Sequence, residues 1–169
     1  MQVEVEYEKS VTTRYPEQVA IVLARDPEGK FNPITVGWTM LTSIQPPMMA
    51  VSIGRARHSI EALRKSQAFV VSFPSSAMAK EALLYGTKSG RDMDKLAESG
   101  AVTQPASVID GVLLADAVSN FECRTVSEHE TGDHVIFVGE VVASHVNKDP
   151  DLGRLYAFGG EKLGGIRPA

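Results

Sequence analysis

Short apolar runs separated by turn residues recur along most of the chain. Val19 to Arg25 reads as a buried strand, and Asp26-Pro27-Glu28-Gly29 is a turn signal leading to a second strand near Ile34 to Leu41. The pair reads as a hairpin. Pro46-Pro47 sets an extended approach to a third strand, Met48 to Ile53, because proline fixes its own φ and pushes the preceding residue away from helix. Ser59 stands as an N-cap before a short helix, Ile60 to Lys65, and Ala68 to Phe73 is a further strand. Helical spacing at Met78, Ala82 and Tyr85 predicts a helix within Ser75 to Tyr85; a polar loop, Gly86 to Asp92, then leads to a second short helix around Asp94 to Glu98. Two long β segments follow: Leu113 to Val126, broken by Asp116 and Asn120, and His134 to Val146. Strands in the majority with inserted helices predict a mainly β fold, a closed or partly closed β-barrel with helical decorations.

At 169 residues the chain is expected to form one domain with a genuine core. A net charge of −4 gives no electrostatic footprint for nucleic acid, although a local basic cluster leaves a small anionic ligand open. The longest apolar runs, such as Val19 to Ala24, are far too short to span a bilayer, and Met1 to Ser10 alternates valine with glutamate instead of forming an apolar leader core. The single cysteine, Cys123, excludes an intrachain disulfide, so the expected setting is a reducing cytoplasm.

Four segments could carry chemistry. Thr35-Val36-Gly37-Trp38-Thr39 combines hydroxyls, a glycine and the only tryptophan; taken alone it reads as ordinary strand sequence with Trp38 in the core, but it could also face a flat polar ring system. Arg55, Arg57, His58 and Ser59 fall between a strand end and a helix start, where free N–H groups and the helix dipole favour an anion such as phosphate; a solvated basic loop is the plain alternative. Lys88, Arg91 and Lys95 form a second basic group of the kind that is usually just solvated. Gly132-Asp133-His134 sets an imidazole beside a carboxylate, a pair that can orient a ligand or tune a proton transfer, or simply make a turn. His129 and His145 read as surface histidines, no residue spacing resembles a metal site, and no nucleophile elbow is present. Cys123 reads as an inert packing residue.

The order of Asn32 with Thr35 to Thr39, Ser43 and Pro46-Pro47, Arg57-His58-Ser59, Phe69 to Phe73, Ser89 to Lys95, Glu122-Cys123 and Gly132-Asp133-His134 through Val141 resembles the flavin reductase-like family, including its flavoredoxin-type branch, from about Pro16 to Val146. That resemblance implies an FMN-binding split barrel that forms a homodimer with flavin near the subunit interface. It implies that Thr35, Val36, Gly37, Trp38 and Thr39 line the isoalloxazine and ribityl chain, that Ser52, Ile53 and Gly54 hold the other side, and that Arg57, His58 and Ser59 hold the phosphate. It further implies that the Ser89 to Lys95 loop lies near the cofactor, with Lys88 and Arg91 among the cofactor-binding residues, and that Asp133 and His134 stand near the nicotinamide position as the catalytic pair. The expected activity is hydride transfer from NAD(P)H to flavin, with reduced flavin serving a partner; an FMN-bound electron carrier reduced by a redox protein is the alternative. Flavin carries such chemistry itself, so no further acid, nucleophile or metal is required.

Overall fold

The computed structural model describes residues 1–166. In chain order it forms helix α1 (Tyr7–Val11), strands β1 (Glu17–Gln18), β2 (Ala20–Arg25), β3 (Phe31–Val36), β4 (Thr39–Ile44) and β5 (Pro47–Gly54), helix α2 (Ser59–Ser66), strand β6 (Ala68–Pro74), and helices α3 (Ala79–Thr87) and α4 (Lys95–Ser99). Strands β7 (Thr103–Pro105), β8 (Val112–Leu114), β9 (Ala117–Thr131), β10 (His134–Val146), β11 (Arg154–Ala157) and β12 (Leu163–Ile166) complete it. Among the described residues no helix is long and apolar enough to cross a membrane.

Seven strands make one antiparallel sheet in the order β3-β2-β6-β9-β10-β5-β4. The two edge strands, β3 and β4, are consecutive in the chain and joined only by Gly37 and Trp38. The sheet must therefore curl until its edges approach, which makes a barrel, and the lack of a ladder between β3 and β4 leaves that barrel split. The mainly β fold read from the sequence is correct.

Strand alternation divides the core into two layers. Ala20, Val22 and Ala24 of β2 face the barrel interior with Met49, Val51, Phe69, Val71, Val135 and Phe137, and Ile60 and Leu63 of α2 join them at one end. Ile21 and Leu23 point outward and are covered by Met78, Ala82 and Tyr85 around α3, with Leu114 and Leu155. Because both faces of β2 are buried up to Ala24, Ala20 to Ala24 is a continuous apolar run.

The structure corrects several sequence expectations. The single strand expected over Ile34 to Leu41 is two strands, since the chain leaves one edge of the barrel at Val36 and rejoins the other at Thr39. Ser59 is the first helical residue and not the N-cap; His58 occupies the cap without a side-chain capping bond, and the Ser59 hydroxyl accepts from Asn32 Nδ2 at 2.8 Å. Asp116 does break the Leu113 to Val126 segment, but Asn120 lies inside β9, where its carboxamide bonds Ser72 and both backbone groups of Leu114. A small sheet, β1-β11-β12, escaped the sequence reading and sets Glu17 beside the barrel split.

Candidate functional site

Two clefts meet at the split. The first, of about 200 Å³, is walled by Arg57, His58 and Ser59 before and at the start of α2, by Lys88 to Arg91 after α3, and by Lys95 at the start of α4. The two basic groups of the sequence thus converge on one cavity. Gly90 is required there, because a Cβ would lie 2.2 Å from Asn32 Oδ1 and hold the 88–91 loop off the hairpin.

The cleft carries uncompensated positive charge. Arg91 pairs with Glu61 at 3.3 Å, but among the described residues Arg57, Lys88 and Lys95 pair with no carboxylate. Lys95 is only 4% exposed, and its Nζ donates to the Tyr85 carbonyl at 3.4 Å. Burial, and secondarily the charge of Arg57, lowers its pKa to about 8. A buried ammonium with one neutral acceptor is unfavourable alone and becomes favourable when an anion enters.

The second cleft, of about 210 Å³, lies between Thr35 to Trp38 at the end of β3 and Ser52 to Gly54 at the end of β5, with Arg14, Glu17 and His134 around it. Ile34 and Arg57 line both clefts, which makes them one continuous groove with a cationic end and a flatter end. Trp38 is 44% exposed and stands at the mouth instead of in the core, its ring 4.6 Å from that of His134 and tilted by 36°. His134 opposes Gly54 across the β5–β10 ladder; its Nδ1 shares a 2.6 Å hydrogen bond with Asp133, while Nε2 faces Gly54 and the cleft. That bond to His134 holds the Asp133 carboxyl below the usual range, yet Asp133 itself projects into solvent and lines neither cleft.

Most expected site residues therefore assemble: Thr35 to Trp38, Ser52 to Gly54, Arg57 to Ser59, Lys88, Arg91 and His134. Thr39 does not. Its hydroxyl donates to Ala50 O at 2.9 Å, and the Thr35 hydroxyl is likewise committed to Ala82 O at 2.7 Å, so backbone groups and not these hydroxyls are what β3 can offer a ring. Arg14, Glu17 and Lys95 were not assigned as site residues from the sequence. Glu17 accepts from Arg14 Nε at 3.1 Å and packs so tightly on Gly37 that a Cβ there would lie 2.8 Å from its Cδ. Lys95 had a signal in its basic group; Glu17 and Arg14 had none. Cys123 is buried in the barrel, and burial followed by the charge of Glu122 pushes its thiol up to about 12, which fits a packing role. His145, read as a surface residue, is bonded to the buried Glu122.

Comparison with known proteins bears on this groove. The profile of the flavin reductase like domain matches residues 12–164. The chain belongs to the flavin reductase-like family. A flavin reductase of Pseudomonas putida is 30% identical over 156 residues, covering 90% of this chain and 85% of that one. An NADH-dependent FMN reductase of Streptomyces nodosus subsp. asukaensis is 31% identical over 133 residues, covering 77% and 69%. Some archaeal relatives are longer: the match spans 64% of an uncharacterized Archaeoglobus fulgidus protein and 50% of one from Aeropyrum pernix. Among solved structures, an FMN-binding protein from Thermus thermophilus with bound p-hydroxybenzaldehyde superposes with a TM-score of 0.85 at 27% identity, over 100% of this chain and 97% of that one. Flavoredoxin from Methanosarcina acetivorans gives 0.78 at 25% identity, over 88% and 76%.

Proposed function

We propose that this family member binds FMN along the groove and transfers a hydride to it from NAD(P)H. The observation that carries the reading is the continuity of a cleft holding three unpaired cations with a flatter cleft whose mouth is formed by Trp38 and His134. A flavin phosphate needs cations and N–H donors, and a planar ring needs a slot with few polar groups. Arg57, Lys88, Lys95 and the start of α2 would hold the phosphate, and the backbone of Thr35 to Trp38 with Ser52 to Gly54 would hold the ring. When bound, FMN supplies the hydride-accepting chemistry. The chain's part is to orient and enclose. Trp38 and His134 border the open side, where a nicotinamide can stack and its carboxamide can reach the imidazole, and Asp133 fixes which ring nitrogen of His134 is presented.

The test is to purify the protein, record its visible spectrum and add NADH or NADPH anaerobically. Rapid bleaching is expected. A flavin-loaded protein that bleaches only sluggishly is instead an electron carrier, the role suggested by the likeness to flavoredoxin. The role of His134 is tested in the same assay: His134→Ala should retain FMN but slow reduction by about tenfold or more, roughly 1.4 kcal/mol of transition-state stabilisation. Unchanged fast reduction in the mutant rejects that role.

The same reading includes a homodimer. Strand β4 is a sheet edge, and its Met40, Leu41 and Ile44 are 58%, 74% and 92% exposed. Such an edge invites pairing or covering, and it adjoins Trp38 at the groove. Sedimentation at micromolar concentration should give a dimer, and Leu41→Glu with Ile44→Glu should give monomers with weakened FMN binding. A wild-type monomer with full FMN occupancy contradicts both the dimer and an interfacial flavin.

A further inference from the structure

Behind the cationic cleft, the hairpin turn after β2 meets the loop before α2, and a buried histidine there lacks any hydrogen-bond partner. His58 is 8% exposed, and among the described residues neither ring nitrogen finds a partner. A buried polar group left this way is costly, so native structures supply a partner. Nε2 points at Oδ2 of Asp26, which is itself 4% exposed, across 3.7 Å. That is too long for a hydrogen bond. It is close to the separation of two donors sharing one ion, since bonds of about 2.0–2.2 Å at a tetrahedral angle set ligand atoms roughly 3.3–3.6 Å apart.

Glu28, from the same turn, supplies a third donor, and the three donor atoms lie within 4.8 Å of one another. The buried carboxylate is also held from behind. Asp26 Oδ1 accepts the Lys30 N–H at 2.8 Å, which leaves Oδ2 free, and His58 Nδ1 faces Glu61 Oε2 at 3.9 Å. At 3.9 Å Glu61 does not hydrogen-bond Nδ1, but it stands on the side of the ring from which a carboxylate usually supports a ligating imidazole.

We infer that Asp26, Glu28 and His58 form a site for a divalent transition-metal ion of the zinc class. One imidazole and two carboxylates, with water in a fourth position, suit Zn²⁺ or Co²⁺; Mg²⁺ and Ca²⁺ favour oxygen alone. Asp26, Glu28 and Glu61 offset the neighbouring cations. The ion clasps the β2–β3 turn to the start of α2 and takes no part in hydride transfer. The sequence reading expected no metal because the donors sit in two separate motifs that only the fold unites.

The experiment uses the full chain, dialysed against a chelator and titrated with Zn²⁺ by calorimetry and with Co²⁺ by visible absorption. One ion per chain is expected, with a Zn²⁺-dependent rise in Tm. Asp26→Asn and His58→Gln should each weaken binding by about tenfold or more, Glu28→Gln by less, and His129→Gln not at all. Should His58→Gln fail to fold, the two turn variants decide alone. No stoichiometric binding means that His58 is simply paired with Asp26, and this overturns the proposal; so does equal Zn²⁺ affinity in wild type, Asp26→Asn and Glu28→Gln. Because the readout is metal binding, the result stands whether or not the protein reduces flavin.

Discussion

Replacing Arg57 with alanine and Lys95 with methionine together should weaken FMN binding by about 3–5 kcal/mol, the scale of two charge-assisted hydrogen bonds to a phosphate dianion. Riboflavin, which lacks the phosphate, should lose far less. Equal losses for the two flavins would remove the phosphate from this cleft. Lys95 also gives the binding a pH signature. In the free protein its pKa is about 8, and an entering dianion favours the protonated form, so binding takes up a proton above that value. FMN affinity should be flat just below pH 8 and fall above it by up to about tenfold per pH unit. Lys95→Met should abolish the slope. The same group acts on stability with the opposite sign. Its folded pKa lies below the ordinary lysine value of 10.5, so the unfolded chain binds more protons between the two, and the cost of burying the charge is full below pH 8 and fades as pH rises toward 10.5. Lys95→Met alone is therefore expected to stabilise the flavin-free protein at pH 7 by as much as about 3 kcal/mol, measurable by urea unfolding. A residue that weakens the free fold while strengthening the bound state is expected at a binding site.

How far the sequence could disclose this groove depends on how local each signal is. The β2–β3 hairpin was legible because its turn is closed by neighbours: Asp26 N bonds Lys30 O at 2.8 Å, and Gly29 takes a φ of +87° that favours glycine. The break at Gly37 was not legible, since Ile34, Val36, Trp38 and Met40 keep strand alternation straight through it. What interrupts the strand is barrel topology, which requires the chain to pass from one sheet edge to the other. Arg57 to Ser59 and Lys88 to Lys95 were each visible as basic groups, but their shared cavity depends on α2 and α4 closing over β3. Glu17 reached the groove only through a two-stranded connection with β11, whose partner residues lie at the far end of the chain. Ser59 satisfied the N-cap preference in sequence and still lost the role, because Asn32 offered its hydroxyl a buried partner one position inside the helix.

Glu122 was likewise hidden, quoted only as part of a family pattern, and its replacement should have the largest effect on stability. Its side chain is fully buried, yet it is one of the best-satisfied groups in the molecule. Ser107 donates N–H at 2.7 Å and its hydroxyl at 2.8 Å to the carboxylate, Val108 N–H and Ile109 N–H reach it at 2.8 and 3.0 Å, and His145 Nε2 stands at 2.7 Å. Burial by itself raises the carboxyl pKa, but these donors outweigh it and hold the group at about 2. A folded pKa below the ordinary 4.5 means that the contribution is complete above pH 4.5 and lost as pH falls toward 2. Its size is about 3 kcal/mol. Glu122→Gln keeps the shape but turns an NH₂ group toward N–H donors and leaves them unsatisfied. It should cost about 3–5 kcal/mol at pH 7, the range for breaking a buried charged pair. Urea unfolding at several pH values checks both statements: wild type should lose stability steeply between pH 4.5 and 2, and the variant should lose little more than it already has. A wild-type curve that stays level through that window would mean that the carboxylate is not held by the 107–109 loop as described. FMN binding by the folded variant should be nearly unchanged, because Glu122 lines neither cleft of the groove.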